Sequence, residues 1–223
     1  MNSNTTNKTA VIFGATGLVG SHCLRLLLES SYYSKVKVFS RREIEIQHPN
    51  LEYYIIDFDK IEEYKDNISG HDIFCTLGTT IKRAGSKAAF IKVDYTYVVG
   101  IAKLALINNA QQFILVTAMG SDEDSIFFYN KVKGQVENEV KKLGYNSIRI
   151  LRPSLLLGER NEKRFAEKLA IHASSFTNLI TDVIAPNYSA VRAEQVAKAM
   201  IAAAQRPDKG VFIYESNEIR NFK

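Results

Sequence analysis

Tyr129 and Lys133 are the residues of this sequence best suited to moving a proton together. The surrounding sequence predicts a helix over Ser125–Leu143, and residues four apart are neighbours on a helix surface. A free phenol has a pKa of about 10, so only about one in a thousand is ionised at pH 7. A neighbouring ammonium group favours the phenolate and lowers that pKa. Such a pair can exchange a proton with a substrate hydroxyl or carbonyl while a hydride moves to or from a nicotinamide.

The same predicted helix indicates how deeply the pair lies. Its inward stripe is Val132, Val136 and Val140, which places Tyr129 near the middle of the stripe and Lys133 about 60° from its centre. In that position Lys133 could also hold the ribose of a nicotinamide cofactor. The spacing is also a frequent chance match. The alternative interpretation makes the tyrosine a core aromatic residue and the lysine a surface residue.

Three glycines, Gly14, Gly17 and Gly20, connect a short apolar strand to the first predicted helix. In a strand–turn–helix context the first glycine permits a tight turn and the second lets backbone N–H groups approach a pyrophosphate. The third lets the helix pack closely on the strand, and the helix N-terminus attracts the negative charge. The alternative is a turn with a purely structural role. The cofactor-binding residues predicted in this turn are Gly14, Thr16, Gly17, Leu18, Val19 and Gly20.

The end of the second predicted strand indicates which dinucleotide is bound. A site for NAD(H) usually has a carboxylate here, but this sequence has Ser40, Arg41 and Arg42. The guanidinium group of an arginine can donate two parallel hydrogen bonds to a phosphate, and Ser40 can add a hydroxyl donor. We therefore expect NADP(H) to be preferred over NAD(H), unless the two arginines form only a solvated loop. Asp57 and Phe58, after the third strand, are expected to meet the adenine.

Apolar strands alternate with helices along the chain, and this pattern predicts an α/β fold. We expect a Rossmann-like, doubly wound parallel sheet in three layers, α/β/α, with ligands at the carboxyl ends of the strands. Residues 1–223 are interpreted as one domain, with a cofactor-binding core over 9–158. Residues 159–223 would supply a substrate-side cap, the last helix and the last strand, and end in a loose tail from residue 215. The predicted strands are Thr9–Phe13, Lys35–Phe39, Leu51–Ile56, Asp72–Thr76, Gln112–Thr117, Asn146–Leu151 and Gly210–Tyr214; the further helices are Ala88–Asn109, Glu162–Ser174 and Ala193–Gln205.

Composition and charge narrow the classes of partner. The net charge is +5, but the lysines and arginines are spread along the chain, so nucleic-acid binding is not expected. Lys82 and Arg83 are interpreted as a solvated surface pair, with contact to an anionic substrate as the alternative. Cys23 and Cys75 fit two buried, reduced thiols, and no histidine pair has metal-ligand spacing. The sequence has no apolar stretch of membrane-spanning length and no signal peptide, so we expect a cytoplasmic protein. We further expect a monomer or homodimer that acts on a small-molecule substrate.

Taken together, the motifs resemble those of the short-chain dehydrogenase/reductase superfamily in its atypical branch, and more closely the Tat-interacting-protein-like oxidoreductases. The resemblance covers about residues 9–158. It implies a Rossmann-like fold that binds NADP(H), with Leu77, Gly78 and Thr79 along the cofactor and Pro153 near the nicotinamide. The segments that carry it are Gly14–Gly20, Ser40–Arg42, Cys75–Thr80 with Ala84 and Gly85, Val93 with Asp94, Tyr129–Gly134, and Arg152 with Pro153.

One departure from the family pattern bears on activity. The family usually has a pair of serines after the fifth strand, one of which binds the reacting carbonyl, and here the second position is Ala118. Thr117 could supply the hydroxyl instead, with Ser121 as the fallback, or neither does. Members of this branch are also often assigned sensing roles. We therefore expect an NADP(H)-dependent oxidoreductase, with an NADP(H)-binding regulatory protein of little turnover as the alternative.

Overall fold

The computed structural model describes residues 7–157 and 189–222. The strands are β1 (Lys8–Phe13), β2 (Tyr33–Ser40), β3 (Leu51–Ile55), β4 (Asp72–Cys75), β5 (Gln112–Val116), β6 (Ser147–Arg152), β7 (Leu156–Leu157), β8 (Val191–Arg192) and β9 (Gly210–Glu215). Seven of them form one parallel sheet in the order β3-β2-β1-β4-β5-β6-β9, and β7 and β8 form a separate parallel pair. The expected Rossmann-like parallel sheet is therefore confirmed.

Helices cover both faces of this sheet and create two apolar cores. On one face Leu24 and Leu27 of the first helix pack with Met200 of a late helix, and on the other Ile101 packs with Val136. Because both faces are covered, the central strands are continuous apolar runs rather than alternating ones. The helices are α1 (Leu18–Glu29), α2 (Ile81–Ala84), α3 (Lys87–Ile91), α4 (Tyr97–Ile107), α5 (Phe128–Lys141), α6 (Ala193–Ala204) and α7 (Ser216–Arg220), with a 3₁₀ helix over Phe58–Tyr64 and a π-helical turn over Lys92–Thr96.

The strand order reverses between β1 and β4, which leaves a crevice at the carboxyl ends of these two strands. β1 pairs with β2 on one side and with β4 on the other. In open α/β sheets ligands bind in the crevice at this switch point. The glycine turn after β1, the arginines after β2 and the loop after β4 all border that crevice.

The long helix predicted over Ala88–Asn109 is interrupted in the structure. The π-helical turn between α3 and α4 holds Asp94, whose side chain is fully buried. A π-turn widens the helix by one residue, and such turns are often found at functional sites. The sequence pattern could not show this, because the apolar spacing continues on both sides of the turn.

Helix α5 begins at Phe128 and not at Ser125 as predicted. The Ser125 hydroxyl accepts a hydrogen bond from the Phe127 N–H, and the Asp122 carboxylate accepts one from the Asp124 N–H. These local turns satisfy backbone N–H groups without a helix. The later start places Tyr129 in the first turn of α5.

The expected loose tail is wrong for residues 215–222. Ile219 of α7 is buried in the core, and the ring of Phe222 packs edge-on against Tyr214 at 5.0 Å between centroids. The Glu215 N–H donates to the Glu218 carboxylate, which begins the helix with a capping box. The predicted helix over Glu162–Ser174 and most of the predicted cap lie outside the described residues.

Candidate functional site

The glycine turn has the geometry that a phosphate-binding turn needs. Gly14 has a φ of +84°, which favours glycine, and its carbonyl accepts the Gly17 N–H at 2.8 Å. A Cβ built on Gly20 would lie 2.0 Å from the Gly14 carbonyl oxygen, so only glycine allows α1 to approach the turn this closely. No side chain caps the N-terminus of α1, and its first turn contains no acidic residue. Its N–H groups are therefore left for an external acceptor.

A cavity of about 510 Å³ lies in the crevice beside this turn. Its walls come from the glycine turn, the end of β2, the loop after β4, and the α2–α3 region with the π-turn. Ten of the predicted cofactor-binding residues line it together: Gly14, Thr16, Gly17, Ser40, Arg41, Arg42, Phe58, Leu77, Gly78 and Thr79.

Other predicted cofactor residues lie outside the cavity lining. Val19 is buried in the core and Leu18 packs against it, so each can offer only its backbone to a ligand. Asp57 is exposed, and its carboxylate accepts the Asp59 N–H at 2.9 Å to cap the 3₁₀ helix. Pro153 is buried, and its carbonyl accepts the Met119 N–H. The remaining two are Gly20, placed by its close approach to Gly14, and Lys133, described below.

The end of β2 presents cations to the cavity. Arg41 and Arg42 are exposed and have no carboxylate partner within the described residues. Ser40 is buried, and its hydroxyl donates a hydrogen bond to the Arg42 carbonyl within the loop after β2. The expected donation from Ser40 to a ligand is therefore not the arrangement seen. Glu43 also lines the cavity, and its carboxylate accepts the Tyr53 hydroxyl at 3.2 Å.

Lys133 of α5 forms a buried ion pair with Asp94 of the π-turn. The Nζ–Oδ1 distance is 2.8 Å, and the side chains are 6% and 0% exposed. The second Asp94 oxygen accepts the Thr79 N–H at 2.9 Å. A Cβ on Gly78 would lie 3.4 Å from Asp94 Oδ1 and 3.5 Å from Lys133 Nζ. The pair therefore lies directly behind the backbone of the cavity wall.

The ionisation of this pair follows from burial and from its neighbours. Burial acts to lower the pKa of Lys133, but the charge of Asp94 and the nearby Tyr129 act to raise it and prevail. The pKa of Lys133 is therefore raised, and the side chain stays an ammonium ion at neutral pH. Burial raises the pKa of Asp94, against the opposing influence of Lys133.

Tyr129 lies in the first turn of α5, four residues before Lys133. Its ring packs against Phe90 of α3 at 5.4 Å between centroids, and the side chain is partly exposed. Its hydroxyl makes no hydrogen bond within the described part of the chain, and Tyr129 is not among the residues that line the cavity. The predicted order of depth is wrong: Lys133 is the more deeply buried of the two, because Asp94 compensates its charge.

Neither hydroxyl considered for binding a carbonyl has a free proton. Thr117 Oγ1 donates to the buried carboxylate of Glu137 at 2.7 Å. Ser121 Oγ donates to the Ala118 carbonyl at 2.6 Å. Arg152 also binds Glu137, at 2.6 Å, so this carboxylate joins the ends of β5 and β6 to α5. The role expected for Thr117 would require it to give up this bond.

The sequence motifs include Asp94 without assigning it a role, and they do not include Glu137. The available signal was a carboxylate on an apolar helix face: Asp94 stands four residues from both Phe90 and Val98, which are buried. Within residues 7–157 and 189–222 no group of His, Cys, Asp or Glu is arranged to hold a metal ion. No helix in those ranges combines the length and apolar composition of a membrane span.

Comparison with known proteins gives concordant matches. Residues 14–207 match the family model described as NAD(P)H-binding. The chain is 36% identical to Protein HTATIP2 of Rattus norvegicus over 208 residues, which cover 92% of this chain and 84% of that protein. It is 35% identical to Protein FMP52, mitochondrial, of Meyerozyma guilliermondii, over 90% of this chain and 87% of that one.

Solved structures share the fold at low sequence identity. MoeE5 in complex with UDP-glucose and NAD aligns with a TM-score of 0.71 at 13% identity, over 95% of this chain and 79% of that one. A short chain dehydrogenase family protein from Francisella tularensis aligns with a TM-score of 0.69 at 14% identity, over 98% of this chain and all of that one. These likenesses support the fold alone.

Proposed function

The chain belongs to the NAD(P)H-binding family, and from this premise we propose that it is an NADP(H)-dependent oxidoreductase acting on a carbonyl or alcohol substrate. The observation that carries the proposal is the buried Lys133–Asp94 pair, which lies behind the cavity wall at Gly78. A buried ion pair is often no more stabilising than well-packed apolar residues, so its retention points to a use beyond stability. Tyr129, one helical turn earlier with a free hydroxyl, provides that use.

The preference for NADP(H) rests on the end of β2. The guanidinium groups of Arg41 and Arg42 line the cavity without a carboxylate partner in the described chain, so they are available to a 2′-phosphate. The pyrophosphate would meet the N–H groups at the start of α1, which carry the positive end of the helix dipole. Phe58 is buried against Phe13 and Tyr97 and lines the cavity, so it would form part of the wall at the adenine end.

The residues on α5 would handle the proton. A nicotinamide cofactor, when bound, would supply or accept the hydride. During reduction Tyr129 gives its hydroxyl proton to the carbonyl oxygen, and during oxidation it takes the proton from the alcohol. Lys133 keeps its charge beside Asp94, one helical turn from Tyr129 on α5. Asp94 keeps the ammonium ion in place and, through the Thr79 N–H, fixes the cavity wall to it.

The test of this function is turnover by Tyr129→Phe beside the wild type. Both proteins are screened with NADPH against a panel of aliphatic and aromatic aldehydes and ketones, following the loss of NADPH absorbance. We expect Tyr129→Phe to lose about 10²- to 10⁴-fold in kcat/KM on any substrate found, with NADPH affinity unchanged. Equal turnover by both proteins would show that the acid/base assignment is wrong.

A second function, an NADP(H)-binding regulatory protein with little turnover, is favoured by one observation. The protons of Thr117 and Ser121 are both donated within the protein, and Ala118 has no hydroxyl. A carbonyl would then be oriented by Tyr129 alone. Tight NADPH binding with no turnover on the whole panel is the result that this alternative predicts.

The proposed location is the cytoplasm, as a monomer or homodimer with a small-molecule substrate. The FMP52 relative is named as a mitochondrial protein, so cell fractionation decides between the two compartments. Recovery in the mitochondrial fraction would overturn the proposed location and leave the proposed chemistry unaffected.

A further inference from the structure

Arg83 shares two properties with Arg41 and Arg42. All three line the same cavity, and in the described chain none has a carboxylate within ion-pair distance. Some of the other arginines are neutralised: Arg25 pairs with Glu29. Arg149 and Arg152 pair with carboxylates in the same way. Glu43 is the one carboxylate among the described lining residues, so these three guanidinium groups leave the cavity with a net positive charge that favours an anionic ligand.

The neighbour of Arg83 in sequence is placed differently. Lys82 stands on the same short helix, α2, and is also exposed, but it is not among the residues that line the cavity. From the sequence, the two residues are predicted to form one solvated pair. The structure separates them, with only Arg83 at the cavity. Lys92 also lines the cavity, but its ammonium group is engaged by Asp59 at 2.7 Å.

The backbone that carries Arg83 is fixed at both ends. The Thr80 hydroxyl accepts the Arg83 N–H at 3.1 Å and caps α2. Gly85, with a φ of +84°, ends the helix. Just before α2, the Thr79 N–H binds Asp94, the partner of Lys133. The loop that presents Arg83 is therefore held by the same carboxylate that holds the lysine of the proposed catalytic pair.

We propose that Arg83 binds a phosphate of the cofactor, as a third guanidinium group supplied by α2 in addition to the two at the end of β2. This inference rests on the proposed function, because it needs an NADP(H) molecule in the cavity. The ligand chemistry is a phosphate, which can be the pyrophosphate or the 2′-phosphate. In either case Arg83 would meet the ligand from the side of α2.

The test compares Arg83→Gln with Lys82→Gln. Both variants remove one positive charge from an exposed position on α2, and only the first removes a group at the cavity. Each is titrated calorimetrically with NADPH and with NADH at fixed ionic strength, beside the wild type. A hydrogen bond between charged groups is worth about 1.5–3 kcal/mol, so we expect Arg83→Gln to bind NADPH about 10- to 100-fold more weakly. Lys82→Gln should stay within about twofold of the wild type.

The NADH titration identifies the phosphate. Equal weakening for NADPH and NADH assigns Arg83 to the pyrophosphate, whereas weakening for NADPH alone assigns it to the 2′-phosphate. If the wild type binds NADPH and Arg83→Gln binds it as tightly as Lys82→Gln does, the inference is overturned and the proposed function stands. If the wild type binds neither nucleotide, both are overturned.

Discussion

Replacing Asp94 by asparagine removes the partner of a buried ammonium ion and changes almost nothing else. The asparagine side chain has the same shape and keeps a carbonyl oxygen for the Thr79 N–H. At the observed 2.8 Å, two unit charges attract by about 6 kcal/mol for an effective dielectric constant of about 20. Removing one partner of a buried ion pair typically costs about 3–5 kcal/mol, because the other charge is left uncompensated. We expect Asp94→Asn to lose an amount in that range from the free energy of unfolding.

Urea unfolding at pH 7 measures this loss for Asp94→Asn, for Lys133→Met and for the double variant. Each single variant leaves one buried charge without a partner, whereas the double variant removes both charges and leaves none unpaired. The cost of the double variant should therefore be smaller than the sum of the single variants by about 1–3 kcal/mol. A cost below about 1 kcal/mol for Asp94→Asn, with additive effects in the double variant, would refute the reasoning.

The pH dependence provides an independent check on the same variant. Without Asp94, burial lowers the pKa of Lys133, while an unfolded lysine keeps a pKa of about 10.4. In Asp94→Asn the unfolded chain then binds the Lys133 proton more tightly than the folded chain does. The loss of unfolding free energy relative to the wild type therefore becomes smaller as the pH rises from 7 towards 10. In the wild type the pKa of Lys133 is raised, so the contribution of the pair is present below about pH 10 and is lost above it. A deficit that stays constant from pH 7 to pH 10 would contradict this assignment.

Three further predictions concern packing, a buried carboxylate and the thiols. Gly20→Ala should lose several kcal/mol of unfolding free energy, and NADPH binding with it, because its Cβ would meet a carbonyl oxygen at 2.0 Å. The control Gly100→Ala, whose Cβ would have no atom nearer than 4.0 Å, should be neutral or up to about 1 kcal/mol more stable in thermal unfolding. Glu137→Gln should cost about 1–3 kcal/mol in urea unfolding, since its buried carboxylate accepts bonds from a threonine and an arginine, and an unchanged midpoint would contradict that role. Burial raises the pKa of Cys75 to about 12 and raises that of Cys23 as well, so a thiol reagent at pH 8 should label neither in the native protein and both in urea.

The parts of the site that lie next to each other in sequence were predictable. Gly14 and Gly20 are required by a left-handed φ and by a close approach of backbone, and both constraints arise within one turn of chain. Arg41 and Arg42 follow a buried strand directly, so the end of β2 fixes where they lie. Tyr129 and Lys133 share a helix, which fixes their spacing. In each case local geometry decides the outcome.

The parts that depend on distant segments were not predictable. The hydroxyl of Thr117 donates to Glu137, twenty residues later, and nothing in the local sequence announces that acceptor. The depth of Lys133 depends on Asp94, which lies in a π-turn that the apolar pattern does not reveal. Lys82 and Arg83 are adjacent basic residues that the sequence does not distinguish. The placement of α2 brings only Arg83 to the cavity.

The most direct test of the central claim is the affinity of the wild type and of Arg41→Ala/Arg42→Ala for NADPH and for NADH. A matched control, Lys60→Ala/Lys65→Ala, removes two exposed positive charges that do not line the cavity. We predict that the wild type binds NADPH more tightly than NADH, and that the arginine double variant binds NADPH about 10- to 100-fold more weakly, near the NADH level. The control should bind both nucleotides as the wild type does. Equal affinity of the wild type for the two nucleotides, unchanged in the arginine variant, would contradict the preference for NADP(H); binding of neither would contradict the account as a whole.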